Sequence, residues 1–208
     1  MNMNENIINN WLKTYLIGPM EDVVKGDGGA GWRNNISIEL KNLTDKNKNP
    51  IYVFNPCLEE QNKVGMESET LHKKIKGWLA SGNNDLVEEY AGLIWHGKTY
   101  LEKTAEGQAK LIKVMGDIDY VINSNFLIAR MEKGDTPCGT YFEAGIALEH
   151  NIPIYVLQTM PRTDYPGSFC HAVFVTKGGF FANEMDLIDF LKNKHHLKRK
   201  KKNDQTTS

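Results

Sequence analysis

The segment Gly139-Thr140-Tyr141-Phe142-Glu143-Ala144-Gly145 carries the residue with the clearest claim to chemistry. Gly139-Thr140 is expected to open a helix just past an apolar, β-rich run, which puts Glu143 in the first helical turn. The positive end of a helix keeps a carboxylate ionised at neutral pH, as a carboxylate nucleophile must be. Small Ala144 and Gly145 then leave room for a ligand or for close packing. The same spacing, Thr140-x-x-Glu143, also fits a capping box, in which Glu143 only bonds back to the N-cap backbone. On local physics alone the cap is the stronger reading.

Other candidates gather near the ends of expected strands. Asp117 and Asp119 lie in Met115-Gly116-Asp117-Ile118-Asp119-Tyr120-Val121. If this stretch is helical, Val114, Ile118, Val121 and Ile122 form its apolar face. Asp117 then sits at the edge of that face, while Asp119, roughly 200° away at about 100° per residue, faces solvent. Asp135, in Gly134-Asp135-Thr136-Pro137, is a substrate ligand or a turn residue. Tyr15-Leu16-Ile17-Gly18-Pro19-Met20 closes a strand: Gly18 lets the backbone approach a ligand and Pro19 turns the chain sharply. Gly26-Asp27-Gly28-Gly29-Ala30-Gly31 precedes Trp32-Arg33. Its spacing matches neither GxGxxG nor GxxxxGK[ST], so it carries no dinucleotide or P-loop fingerprint. Arg33, at the start of a helix, is the better candidate for orienting a polar substrate.

The elements that position these residues alternate between short strands and helices, the pattern of a mostly parallel sheet wrapped by helices. Strands are expected at Thr14–Ile17, Ile51–Phe54, Phe126–Ala129, Pro153–Leu157 and Ala172–Val175. Helices are expected over Trp32–Leu43, Thr140–Glu149 and Met185–Leu191. This predicts an α/β fold: a flavodoxin-like or Rossmann-like three-layer sandwich with a five-stranded, mostly parallel sheet. In such sheets ligands bind at the carboxyl ends of the strands. The distance from Phe54 to Phe126 exceeds what a plain crossover needs. Residues about 57–115 therefore read as a helical insertion, a lid or a packing elaboration, containing Trp78 and Trp95. One domain spans 1–197, and a basic tail over 198–208 is expected to be disordered from its composition.

Charge is nearly balanced, with 25 basic and 26 acidic residues. Nucleic acid is thus not an expected partner except through the basic tail. No apolar run approaches the roughly 20 residues of a membrane helix, so no membrane partner is expected. The start, Met-Asn-Met-Asn-Glu-Asn, lacks the basic-then-apolar pattern of a signal peptide. Cys57, Cys138 and Cys170 are far apart and unpaired in spacing, which suits a reducing cytoplasm and offers no metal site. His195-His196 sits beside lysines and reads as solvated.

Together, Tyr15 to Met20, Trp32-Arg33, Phe54-Asn55-Pro56, Asp117 to Asn125 and Gly139 to Leu157 resemble the nucleoside 2-deoxyribosyltransferase family. In that family a YLxGP-like strand end lines the sugar site. An aspartate stands eight residues before the position of Asn125, and G-T-x-x-E-x-G supplies a nucleophilic glutamate. The order and strand-end placement of these motifs turn the reading of Glu143 from cap to nucleophile. The resemblance implies Asp117 as the substrate-orienting carboxylate and Tyr15 as a neighbour that positions Glu143. It further implies substrate contacts from Gly18, Pro19, Met20, Arg33, Asn55, Asp135, Gly139 and Thr140. No metal or cofactor is implied, and a homo-oligomer is expected. The family often has Ser-Asp where this chain has Ser124-Asn125, and an acid where it has Pro137.

The expected activity is cleavage or exchange of the N-glycosidic bond of a 2′-deoxyribonucleoside, through a covalent deoxyribosyl-Glu143 intermediate and with net retention. The partners are then a deoxynucleoside or deoxynucleotide and a free base. The alternative is a deoxynucleoside 5′-monophosphate N-glycosidase. Relatives of that kind show a serine near Pro137, and its absence here tilts the expectation toward nucleosides. An alternative of another class is a nucleotide-sensing module without turnover.

Overall fold

In the computed structural model, residues 11–19, 30–58, 68–103, 109–135 and 137–200 are described. The chain enters the sheet at β1, Lys13–Ile17, whose residues from Thr14 on are all buried. An unbroken buried run is what a parallel strand covered on both faces requires. β3, Tyr52–Phe54, pairs with one edge of β1, and β6, Phe126–Ala129, with the other. β7, Ile154–Leu157, and β8, Gly179–Phe181, extend the sheet beyond β6. All four pairings are parallel and the order is β3-β1-β6-β7-β8. This is an α/β, flavodoxin-like three-layer fold.

Strand alternation divides the core in two. Tyr15, Ile17, Leu127, Ala129, Ile154 and Val156 face one layer of helices. That layer comprises α4 (Asp117–Ile122), α5 (Cys138–Glu149) and α6 (Gly167–Val175). Leu16, Phe126, Ile128 and Tyr155 face the other layer, made by α1 (Ala30–Lys41) and α7 (Glu184–His195). Leu16, Ile17 and Leu127 have no exposure. Each such burial is worth about 1.5–3 kcal/mol, so β1 and β6 anchor both layers.

The fifth strand is not Ala172–Val175. Those residues end α6, in which Phe169, Ala172 and Val173 recur at helical spacing and bury together. Packing of that stripe overrides the β preference of its branched residues. β8 follows instead, and Gly178 lets it dock, because a side chain there would run into the Ile154 carbonyl. α1 starts at Ala30 and ends at Lys41, while Leu43-Thr44 form β2, antiparallel to β9, Lys198–Arg199. The basic tail is therefore paired over its first two residues.

The insertion is only partly helical. α2, Ser68–Ala80, and α3, Asn84–His96, pack on each other. β4, Gly97–Lys103, and β5, Ala109–Met115, then form an antiparallel hairpin. Gly97 makes the change of direction: its φ of 69° favours glycine, and its backbone abuts the Val114 carbonyl. Among the described residues, no helix is long and apolar enough to cross a membrane.

Candidate active site

α5 begins at Cys138, one residue after Pro137, so its first turn holds no acid. Proline just outside the helix limits how early the N-terminus can start. Thr140 is consequently the third helical residue and Glu143 lies in the second turn, not the first. The capping box expected at Thr140-x-x-Glu143 does not form. Glu143 is nonetheless 6% exposed, on the same face as buried Thr140, Ala144 and Ala147. Thr140 is itself 1% exposed, and its Oγ1 has no hydrogen-bond partner among the described residues.

One half of such a cap is found one helix earlier, where the N-cap is Gly116 and offers no side chain of its own. Asp119 accepts the Gly116 N–H at 3.4 Å and is bridged by Lys113 at 3.0 Å. With that carboxylate turned to the helix end, α4 buries Asp117, Tyr120 and Val121. Val114 belongs to β5, and Ile122 is exposed, so the expected apolar face is corrected on both counts. Asp117 stands on the buried face itself, at 2% exposure, not at its edge.

Tyr15 is fully buried on the sheet face toward α4 and α5, and its ring stacks on Tyr120, 5.9 Å between centroids. Tyr120 also packs against Phe54 at 4.4 Å. α4 contacts both β1 and α5. Both Asp117 and the start of α5 lie toward the carboxyl pole of the sheet, because α4 runs into β6 and α5 runs out of it. Tyr15, Asp117 and Glu143 thus belong to one layer and three adjoining elements.

Gly18 is needed for contacts within the protein. A Cβ there would lie 2.5 Å from the Arg130 carbonyl and 3.2 Å from the Arg33 guanidinium. Pro19 is buried behind it, and Met20 lies outside the described residues. Arg33 is fully buried, donating to the carbonyls of Gly18 (2.6 Å) and Leu16 (3.4 Å). These bonds clamp the carboxyl end of β1. Asn55 is buried, accepts the Cys57 N–H at 3.2 Å and donates to Asn34 at 3.4 Å. Asp135 accepts the Glu132 N–H at 2.6 Å, the behaviour of a turn residue. Ser124-Asn125 sits at the amino pole: Ser124 donates to the Tyr120 carbonyl and Asn125 accepts the Lys13 N–H at 2.7 Å. The departure at Asn125 therefore falls away from the carboxyl ends of the strands.

On the α6 side of α5, a cleft of about 310 Å³ is lined by Glu132, Asp135, Pro137, Tyr141 and Asp164, among others. Lys133 and Asp164 form a 3.2 Å ion pair between its walls. Glu143 is not among its walls. Burial, then the nearby Cys138, raises the Tyr141 hydroxyl above its usual range. On the other flank, Trp95 of α3 meets Phe142 edge-on at 4.9 Å and approaches Gly139. Trp78 is half-buried and pairs with Tyr90 inside the helical insertion. Among the described residues, no three His, Cys, Asp or Glu side chains converge as metal ligands.

Tyr120, Phe142 and Arg130 are neighbours that sequence reasoning missed. Arg130 had a readable signal, a charge directly after the buried run of β6. No protein-family model and no curated protein matches the chain.

Proposed function

We propose that the protein cleaves or exchanges the N-glycosidic bond of 2′-deoxyribonucleosides, as members of the nucleoside 2-deoxyribosyltransferase family do. One observation carries this reading: Glu143 is a buried carboxylate with no first-turn capping duty, in the layer that also buries Tyr15 and Asp117. Burying a carboxylate is costly unless the fold gains something by it.

In this mechanism a Glu143 carboxylate oxygen forms a bond to C1′ as the C1′–N bond breaks. The bonding pair leaves with the base, which takes up a proton. The deoxyribosyl ester is then attacked at C1′ by a second base or by water, which releases the Glu143 carboxylate. Two displacements give net retention. A sugar without a 2′-hydroxyl suits the route, because nothing there withdraws charge from the oxocarbenium-like transition state. Asp117 orients the substrate and Tyr15 supports the position of Glu143. A homo-oligomer and a reducing cytoplasm belong to the same proposal; three free thiols, Cys57, Cys138 and Cys170, support the second.

The test is a screen of deoxynucleosides and deoxynucleotides for released base, with and without an acceptor base. Exchange without loss of deoxyribose identifies a transferase, and free sugar or sugar phosphate a hydrolase. Tight binding with no base released after long incubation overturns the proposal in favour of a sensor.

A further inference from the structure

We infer that the outer edge of β4 is a docking surface, taken by the same edge of a second copy of this chain about a two-fold axis. This goes beyond the homo-oligomer proposed above, because it names the surface and the register. The surface lies on the insertion, outside the segments that carry the family resemblance.

The hairpin is the first argument. Among the described residues β4 and β5 pair only with each other, so each keeps one free edge. A two-stranded ribbon is marginal by itself, and sheets gain stability from a third and fourth strand. A free edge is a template for such addition. Leu101 and Leu111 stand opposite each other across the ribbon and are 70% and 65% exposed. Tyr100, on the other face by strand alternation, is 41% exposed. Apolar side chains grouped in the open mark contact surfaces. The root of the hairpin is also firm. A Cβ at Gly97 would run into the Val114 carbonyl, and one at Gly116 into the Trp95 carbonyl. The edge is therefore presented in a fixed orientation, which limits the ordering cost of pairing.

The residues of β4 select the partner. A two-fold axis makes such a contact self-complementary, residue i meeting j and j meeting i. β4 has seven residues, Gly97–Lys103, and Tyr100 is its midpoint. An axis at Tyr100 pairs all seven with their counterparts in an antiparallel ladder. It opposes the two Tyr100 residues, and it places Lys98 opposite Glu102 of the partner copy and Glu102 opposite its Lys98. Aromatic pairs and opposite charges both stabilise directly opposed positions. A slip of one residue toward the hairpin tip sets Lys98 against Lys103 instead, so the register is specified. β5 offers no such match, because it holds Lys110 and Lys113 and no acid. The product is a four-stranded antiparallel sheet, β5-β4-β4-β5, with both Leu101 residues on one face and both Tyr100 residues on the other.

Sedimentation velocity of the full chain over a range of concentrations tests this. It needs no turnover, so its outcome is separate from that of the base-release screen. Wild type should sediment as a dimer that dissociates on dilution. Lys98→Glu sets acid against acid at both symmetry-related positions, and Glu102→Lys sets base against base. Each should raise the dimer dissociation constant by about tenfold or more. An equimolar mixture of the two variants should return to the wild-type value, since each then meets the opposite charge on the other. Mixing does not repair a folding defect, so this recovery isolates the pairing itself. A wild type that stays monomeric, an oligomer untouched by both variants, or variants that do not recover on mixing overturns the inference.

Discussion

The ring of Trp95 stands edge-on to that of Phe142, 4.9 Å between centroids at 79°. Trp95 lies in the last turn of the helical part of the insertion, and Phe142 immediately precedes Glu143. The contact joins the segment expected as a lid to the first two turns of the helix that carries the candidate nucleophile. Phe142 remains 53% exposed, so the pair lies at a surface and not within the main core.

Replacing Trp95 by Leu should therefore act mainly on catalysis. Leu keeps apolar bulk and loses the flat face. The expected result is a higher KM or a larger hydrolysed fraction, with little change in melting temperature. Trp78→Leu should do the opposite, because Trp78 packs on Tyr90 between α2 and α3. It should cost roughly 1–3 kcal/mol in stability and leave the product ratio alone. Denaturation curves and product analysis of both variants separate the roles. If both variants only destabilise, the lid idea falls.

Glu143→Gln should fold normally and lose nearly all turnover. The amide preserves the volume at a buried position, and no first-turn cap depends on the carboxylate. An amide does not attack C1′ as a carboxylate does. Asp117→Asn should cost a smaller factor, consistent with an orienting role. Near-normal kcat in a folded Glu143→Gln protein would return Glu143 to a purely structural role.

Asp119→Ala tests where the capping lies. Removing the acceptor of the Gly116 N–H should destabilise the protein by about 0.5–2 kcal/mol. Denaturant titration measures this, and the Lys113 bridge, being partly exposed, adds little. A loss well below that range would mean that α4 is held by packing of Tyr120 and Val121 alone.

The parts of the fold that were legible are those that bury a continuous run. β1, β6 and β7 are four or five apolar-rich residues each, wholly buried apart from Lys13, and bounded by Gly18-Pro19 or by polar residues. β8 was not legible, because three half-buried residues led by a glycine join the sheet only through the tight approach of Gly178 to Ile154. The β4–β5 hairpin escaped notice for a related reason: Tyr100, Leu101 and Leu111 are exposed, so no buried face imposes alternation. At the candidate site, Glu143 and Asp117 were found from their motifs, but their settings were not. Thr140-x-x-Glu143 imitates a cap, and only the start of α5 at Cys138, just past Pro137, shows that it is none. Arg33 and Gly18 were read toward a ligand, whereas their contacts tie β1 to α1 and to Arg130.

The last prediction concerns acid stability. His195, in the final turn of α7, stacks on Phe126 at 5.1 Å, and its Nε2 is buried without a hydrogen-bond partner among the described residues. Burial first, then the positive charges of Lys194 and His196, lowers its pKa below the usual 6.5. The unfolded chain, at about 6.5, then binds a proton at a pH where the folded chain does not. Unfolding is accordingly favoured as pH falls from about 6.5 toward the lowered folded value, and this contribution is fully present above about 6.5. The melting temperature should decline over that interval, before the carboxylates titrate. His195→Gln removes the titration while keeping a planar polar group, so its decline over the same interval should be shallower. Parallel wild-type and variant curves between pH 7.5 and 5 would show that His195 is protonated as easily in the fold as outside it.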